Sequence, residues 1–241
     1  DLDGIGPGDA AGLLVGDGNR DGLRRRRTRL QGDRHGLAVS RAVVLIIGNA
    51  LAPIAAGHRH CHICIHPVGG QMVPEFPTED CSKYELWFLI GWPYQTTVAM
   101  SRLAFSGIFE DFPQLKIVTH HVGAMIPMLA GRIENGLKMY GGRTAPELKE
   151  KLTKTKMKGN PLDTFKKFYA DTASFGSASA IRCGLDFFGK DHLLFASDMP
   201  FDPEKGPGYI DRTLKCIDSL GLSAEEKESI LYGNAERIFH V

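Results

Sequence analysis

Leu115-Lys116-Ile117-Val118-Thr119-His120-His121 is a mostly apolar run of strand length that stops at two imidazoles. Three other short runs stop in the same way: residues 63–66 at His66-Pro67, 165–170 at Asp171, and 192–197 at Asp198. Pro67 has no N–H to give to a sheet ladder, which ends the first of them. The segments between carry helical spacing. Ala99, Met100, Leu103, Ala104, Gly107 and Ile108 share one face of a helix that Thr96 or Thr97 is expected to cap, and that runs to about Phe109 before Asp111-Phe112-Pro113. Further helices are expected at about 125–140, 177–187, 208–220 and 224–232, with Asn234 capping a last turn. Strands alternating with helices of this length predict parallel βαβ units. In a (β/α) barrel the C-terminal strand ends form the active face, so His66, His121, Asp171 and Asp198 are the candidate residues.

Composition divides the chain in two. The 241 residues are 43% hydrophobic and 24% charged, with a net charge of +1. That balance gives no argument for a nucleic-acid or membrane partner. Aromatics make up 9% of the whole, yet the first is Phe76. The first lysine is Lys83, and nine of the fifteen arginines precede it. About seven aromatics would be expected in seventy-five residues, and packed cores depend on such side chains. Residues 1–60 are therefore expected to be an atypical, poorly ordered segment, read as a basic arm, a poorly packed appendage or an out-of-frame translation. Residues 61–241 are expected to form the folded unit. Residues 43–57 are too short to span a bilayer and hold Asn49 and Pro53. No signal-peptide pattern opens the sequence. The five cysteines include Cys61-x-x-Cys64, but no second pair completes a zinc knuckle. Reduced thiols in a cytoplasmic enzyme are the expectation.

Imidazole and carboxylate converging on one face suit a divalent ion of the zinc or manganese type. Such an ion polarises a carbonyl or carboxylate and acidifies bound water. His66, His121 and Asp198 are expected to cluster at one mouth of a curved parallel sheet.

Six motifs in order sharpen this expectation: Ile65-His66-Pro67, residues 91–97 (GWPYQTT), residues 116–124 (KIVTHHVGA), Ala130-Gly131-Arg132-Ile133, residues 196–201 (ASDMPF) and Gly233-Asn234-Ala235-Glu236-Arg237. Together they resemble the amidohydrolase-related family of aminocarboxymuconate-semialdehyde and resorcylate-type decarboxylases, from about residue 61 to the end. The resemblance implies an α/β fold of the (β/α)8 TIM-barrel family, here strands five to eight. It implies His66 and Asp198 as metal ligands, and His121 and Asp198 as catalytic residues, with His120 the less favoured partner of His121. Arg132, Phe201 and Trp92 are implied on the substrate side, with Arg132 reaching the neighbouring subunit's substrate in a homodimer. The implied substrate is a small carboxylic acid.

This sequence departs from the family at its start. The family opens with His-x-His on its first strand, and residues 1–57 supply no such strand. His58-Arg59-His60-Cys61-His62 contains the spacing twice but abuts the strand that carries His66. With two ligands counted, metal binding by this chain is expected to be weak. Three functions stay open on the sequence: a metal-dependent carboxy-lyase acting on an aromatic or unsaturated acid, a hydrolase of the same superfamily, and an inactive barrel fragment.

Overall fold

The computed structural model describes residues 62–239. The expectations for residues 1–60, and the His58/His60 echo of the ligand pair, lie outside that range. Four short strands form one parallel sheet in the order β1 (His62–Ile65), β2 (Lys116–Thr119), β3 (Tyr169–Asp171) and β4 (Leu193–Leu194). All three pairings are parallel, with Ile63 opposite Ile117, Thr119 opposite Ala170, and Asp171 opposite Leu194. Between β1 and β2 lie α1 (Leu86–Leu89), α2 (Gly91–Ser106) and α3 (Ile108–Asp111). Between β2 and β3 lie α4 (Ala130–Lys138) and α5 (Pro161–Phe165), and α6 (Ala178–Phe188) links β3 to β4. The chain closes with α7 (Pro207–Ser219), α8 (Ala224–Glu228) and α9 (Asn234–Phe239). No helix among the described residues is long and apolar enough to cross a membrane.

The period-2 geometry of a strand sends alternate side chains to opposite faces. Ile63, Ile65, Ile117, Ala170 and Leu193 face the helices and share a core with Met100, Leu103, Phe165, Phe168, Ile181 and Ile217. Each large apolar side chain buried there contributes roughly 1.5–3 kcal/mol. Val118, Tyr169 and Leu194 face the other way and pack on Ile238, with Ala235 alongside. The sheet is thus anchored from both sides, and its ends are free to carry polar residues.

Local chemistry fixes the boundaries, and in three places it differs from the sequence expectation. The long helix begins at Gly91 rather than at Thr96 or Thr97, because Thr97 is spent inside it: its hydroxyl donates to Pro93 O at 2.8 Å. It ends at Gly107, whose φ of 79° is left-handed and closes the helix before α3. The last strand stops at Leu194, not Ser197. Phe195 N–H turns to Ile230 O at 2.8 Å, and Ala196 exchanges bonds with the Thr172 hydroxyl. Asn234 does not cap a turn; it is fully buried, and its Nδ2 donates to Lys190 O and Leu193 O, both at 2.7 Å. Elsewhere side chains cap the helices, at positions that the sequence reading did not name. Ser177 caps α6, Asn160 caps α5, and Ser223 with Glu226 forms a capping box on α8.

Candidate metal centre

Because all strands point one way, the residues that follow them meet at one rim. His66 follows β1, His120 and His121 follow β2, and Asp198 lies in the loop beyond β4. One donor atom from each of His66, His121 and Asp198 falls within 4.8 Å of the others. The expected cluster is present, and it holds three donors where the sequence reading counted two ligands.

The histidines are oriented from behind. His66 Nδ1 lies 2.7 Å from Pro67 O, and His121 Nδ1 lies 3.0 Å from Ala173 O. A carbonyl oxygen only accepts, so each Nδ1 carries the hydrogen and each Nε2 offers its lone pair. A ring N–H given to a backbone carbonyl is the outer support that metal-ligating histidines use. Burial, and secondarily the nearby His120, hold the His66 imidazole below its ordinary range, which favours the neutral, ligating form. Burial pushes the Asp198 carboxyl up, against the opposing influence of His121 and His66. A cation between these groups would reverse that cost. Two imidazoles and a carboxylate with a free coordination position fit a catalytic zinc or manganese ion.

The backbone under the site is unusual. His121, Val122 and Asp198 sit at φ of 56°, 59° and 66°, where residues with a side chain are uncommon. Such conformations persist only where surroundings over-determine them. Asp171 supplies that constraint for His121. It is 2% exposed; its Oδ1 accepts the His121 N–H at 2.8 Å and the Ala173 N–H at 3.0 Å. Its Oδ2 lies 2.6 Å from His120 Nδ1. Burial alone would raise the Asp171 carboxyl, but the His120 contact holds it below the usual range. Burial likewise lowers His120, and the bond to Asp171 outweighs it, so this imidazole ends above its ordinary value. The turn also needs small residues. A Cβ on Gly123 would meet the Phe188 ring at 2.6 Å, and one on Gly184 would meet Val122 Cγ1 at 2.1 Å.

Other expected residues take different places. Trp92 donates its indole N–H to Gly69 O at 2.8 Å, and its ring stands edge-on to His66 at 5.6 Å. Gln95 accepts the Gly69 N–H at 2.9 Å, so the loop after His66 is clasped by α2. Arg132 is exposed on α4, and Phe201 is 76% exposed in the loop after Asp198; both stand outside the ligand cluster. Phe175, half-exposed after β3, lies 6.1 Å from the His121 ring and packs on Tyr209; neither was singled out from sequence.

The Amidohydro_2 (amidohydrolase) family profile matches residues 24–241. The chain belongs to the amidohydrolase family. The family match begins at residue 24, upstream of the first motif quoted above. Among curated relatives, the chain is 28% identical over 177 residues to a 2-amino-3-carboxymuconate-6-semialdehyde decarboxylase of Dictyostelium discoideum, covering 72% of this chain and 43% of the relative. It is 27% identical over 174 residues to a 6-methylsalicylic acid decarboxylase of Penicillium expansum, covering 72% and 47%. The chain thus spans about half the length of the curated relatives it matches. Among solved structures it resembles 5-carboxyvanillate decarboxylase from Sphingomonas paucimobilis, with a TM-score of 0.57 at 25% identity over 75% of this chain and 50% of that one. It shares a fold with a dihydroxybenzoic acid decarboxylase from Polaromonas sp. JS666 carrying manganese and the inhibitor 2-nitroresorcinol, at a TM-score of 0.54 and 22% identity over 75% and 50%. Four parallel strands with helices between them are part of the family's TIM barrel.

Proposed function

We propose that this chain is the site-bearing part of a metal-dependent, non-oxidative decarboxylase acting on a small aromatic or unsaturated carboxylic acid. The observation that carries the proposal is the His66, His121 and Asp198 cluster at the strand ends of a chain similar to the two curated decarboxylases named above. Zinc or manganese would be held by these three side chains. Such an ion supplies positive charge that fixes and polarises a carboxylate. Decarboxylation replaces a C–CO2⁻ bond with a C–H bond, so a proton must reach the carbon as CO2 leaves. An imidazole at the rim, within reach of that carbon, supplies it. Trp92, edge-on to His66, is suited to wall the His66 side of a substrate site, and Phe201, exposed in the loop after Asp198, is suited to lie against a substrate ring. Arg132, exposed on α4, is suited to a carboxylate held by a second copy in a homodimer.

The test is CO2 release from hydroxybenzoates by protein loaded with Mn²⁺ or Zn²⁺. We expect release that chelation abolishes and that Asp198→Asn loses. Turnover of esters or lactones without CO2 would assign the site to hydrolysis instead.

A further inference from the structure

We infer that the cleft between α4 and residues 149–160 binds a small organic anion, a carboxylate with an apolar body, at a second site away from the metal centre. The inference does not rest on the decarboxylase reading.

The segment that follows α4 concentrates charge. Residues 138–158 hold seven basic side chains against two acidic ones, in a chain whose net charge is +1. Like charge spread over a convex surface is simply solvated, but this segment folds around a concave space. The second half of α4 forms one wall, and the 3-10 turn Pro146–Lys151 with the irregular residues after it forms the other. The cavity holds about 750 Å³, within the roughly 300–1,000 Å³ of small-molecule sites.

The second wall is tied in place. Lys156 N–H and the Thr155 hydroxyl donate to Phe105 O at the end of α2, at 2.8 and 3.1 Å. Lys158 N–H donates to Glu110 Oε1 at 3.3 Å, and the Tyr140 hydroxyl donates to Thr153 O.

The lining divides by chemistry. Leu137, Leu152 and Met157 are half-buried and make its apolar part, while Lys138, Lys149 and Lys154 stand exposed at its margin. Glu134 is the one acid in the lining, and its carboxylate already accepts the Asn160 amide at 3.3 Å. Lys138 donates to Asn135 Oδ1 at 3.2 Å. Lys149 and Lys154 make no ion pair or side-chain hydrogen bond among the described residues. Two unpaired ammonium groups beside an apolar surface complement a charged head on an apolar body. Leaving water favours entry of the body, and the ammonium groups favour a carboxylate over a neutral head. No lining residue belongs to the His66, His121 and Asp198 cluster.

Calorimetric titration of the full chain with octanoate tests this, beside 1-octanol, which has the body without the charge. One octanoate should bind per chain with sub-millimolar affinity, and 1-octanol more weakly. Lys149→Glu/Lys154→Glu should weaken octanoate by about 10-fold or more, the scale of two lost ion pairs. The same variant should leave 1-octanol binding unchanged, and Asp198→Asn should bind octanoate as wild type does. In wild type, octanoate should slow acetylation of Lys149 and Lys154, read by mass spectrometry, without slowing that of Lys215. No octanoate binding, binding indifferent to the charge reversal, or binding lost in Asp198→Asn would overturn the assignment. Unprotected Lys149 and Lys154 would overturn it too, even if the reversed variant failed to fold.

Discussion

The two ends of the sheet use the same side chains to opposite effect. At the N-terminal end, His192 gives Nδ1 to Phe168 O at 2.9 Å and lies flat on Tyr169, ring centres 4.4 Å apart. Asn234 ties the carbonyls of Lys190 and Leu193 together beneath β4. There, polar groups are spent on holding elements together. At the C-terminal end, His66, His120 and His121 also engage Nδ1, but His66 and His121 each bring a ring nitrogen within 4.8 Å of an Asp198 oxygen. The difference lies in what stands opposite the ring. A histidine stacked on tyrosine is finished; a histidine facing another histidine and a carboxylate is waiting for a cation or a substrate.

The contrast predicts that polar residues bonded to backbone carry stability at either end, whereas the candidate donor Asp198 carries metal binding alone. The largest effect is expected for Asp171→Ala. It leaves the His121 and Ala173 N–H groups without their acceptor, at about 1–3 kcal/mol each, so urea denaturation should show a loss of about 3 kcal/mol. A loss below about 1 kcal/mol would mean that the His121 turn holds itself. Asp198→Asn should leave the urea midpoint nearly unchanged but reduce Mn²⁺ affinity by about 100-fold, as removal of a ligand exceeds the 10–100-fold cost of disturbing its support. Elemental analysis after gel filtration would check this, and retained manganese would remove Asp198 from the centre. At the opposite end, Asn234→Ala should cost about 2 kcal/mol through the buried Leu193 carbonyl and the part-buried Lys190 carbonyl left without a donor. It should not alter Mn²⁺ affinity, and a parallel loss of both would abolish the distinction between the ends.

The smallest effect is on pH dependence. His120 is raised in the folded chain, so its stabilisation is complete below about pH 6.5 and fades as pH climbs through the raised value. Asp171 is lowered, so its stabilisation is complete above about pH 4 and fades as pH falls through the depressed value. In metal-free protein the pair therefore contributes fully between about pH 4 and about pH 6.5. Urea midpoints of wild type minus Asp171→Asn should peak in that window. A difference that is flat from pH 3 to 9 would show that the contact is not ionic.

Much of the site was legible because an apolar run that stops at His or Asp is a local pattern. His66, His121, Asp171 and Asp198 could all be picked out that way. What sequence could not supply was the bonding between strand ends. The His121 to Asp171 bond joins residues fifty positions apart, and no periodicity encodes it. The same limit hid the roles of Thr97 and Asn234. Both have the composition of a helix cap, and tertiary partners claimed them instead. The helix start at Gly91 was missed because a threonine further along offered a better local signal than the clasp around Gly69. Arg132 and Phe201 were visible only as motif positions, since exposure leaves no pattern that separates a ligand contact from a solvated side chain.

Helix α2 has one more consequence. Its Trp92 and Gln95 grip Gly69 in the loop that follows His66, and its Thr97 hydroxyl receives the Met125 N–H beyond the His121 turn. Five residue steps along one helix, about 7.5 Å of rise, therefore gauge the separation of the His66 and His121 imidazoles. The helix works as a caliper with two fixed jaws. Asp198 comes from a loop that this helix does not grip in either of those contacts, and it is the movable jaw. Were an ion held by His66, His121 and Asp198, accommodation of different radii would fall to that one carboxylate, which would make the loop from Asp198 to Gly206 the place where metal preference is tuned.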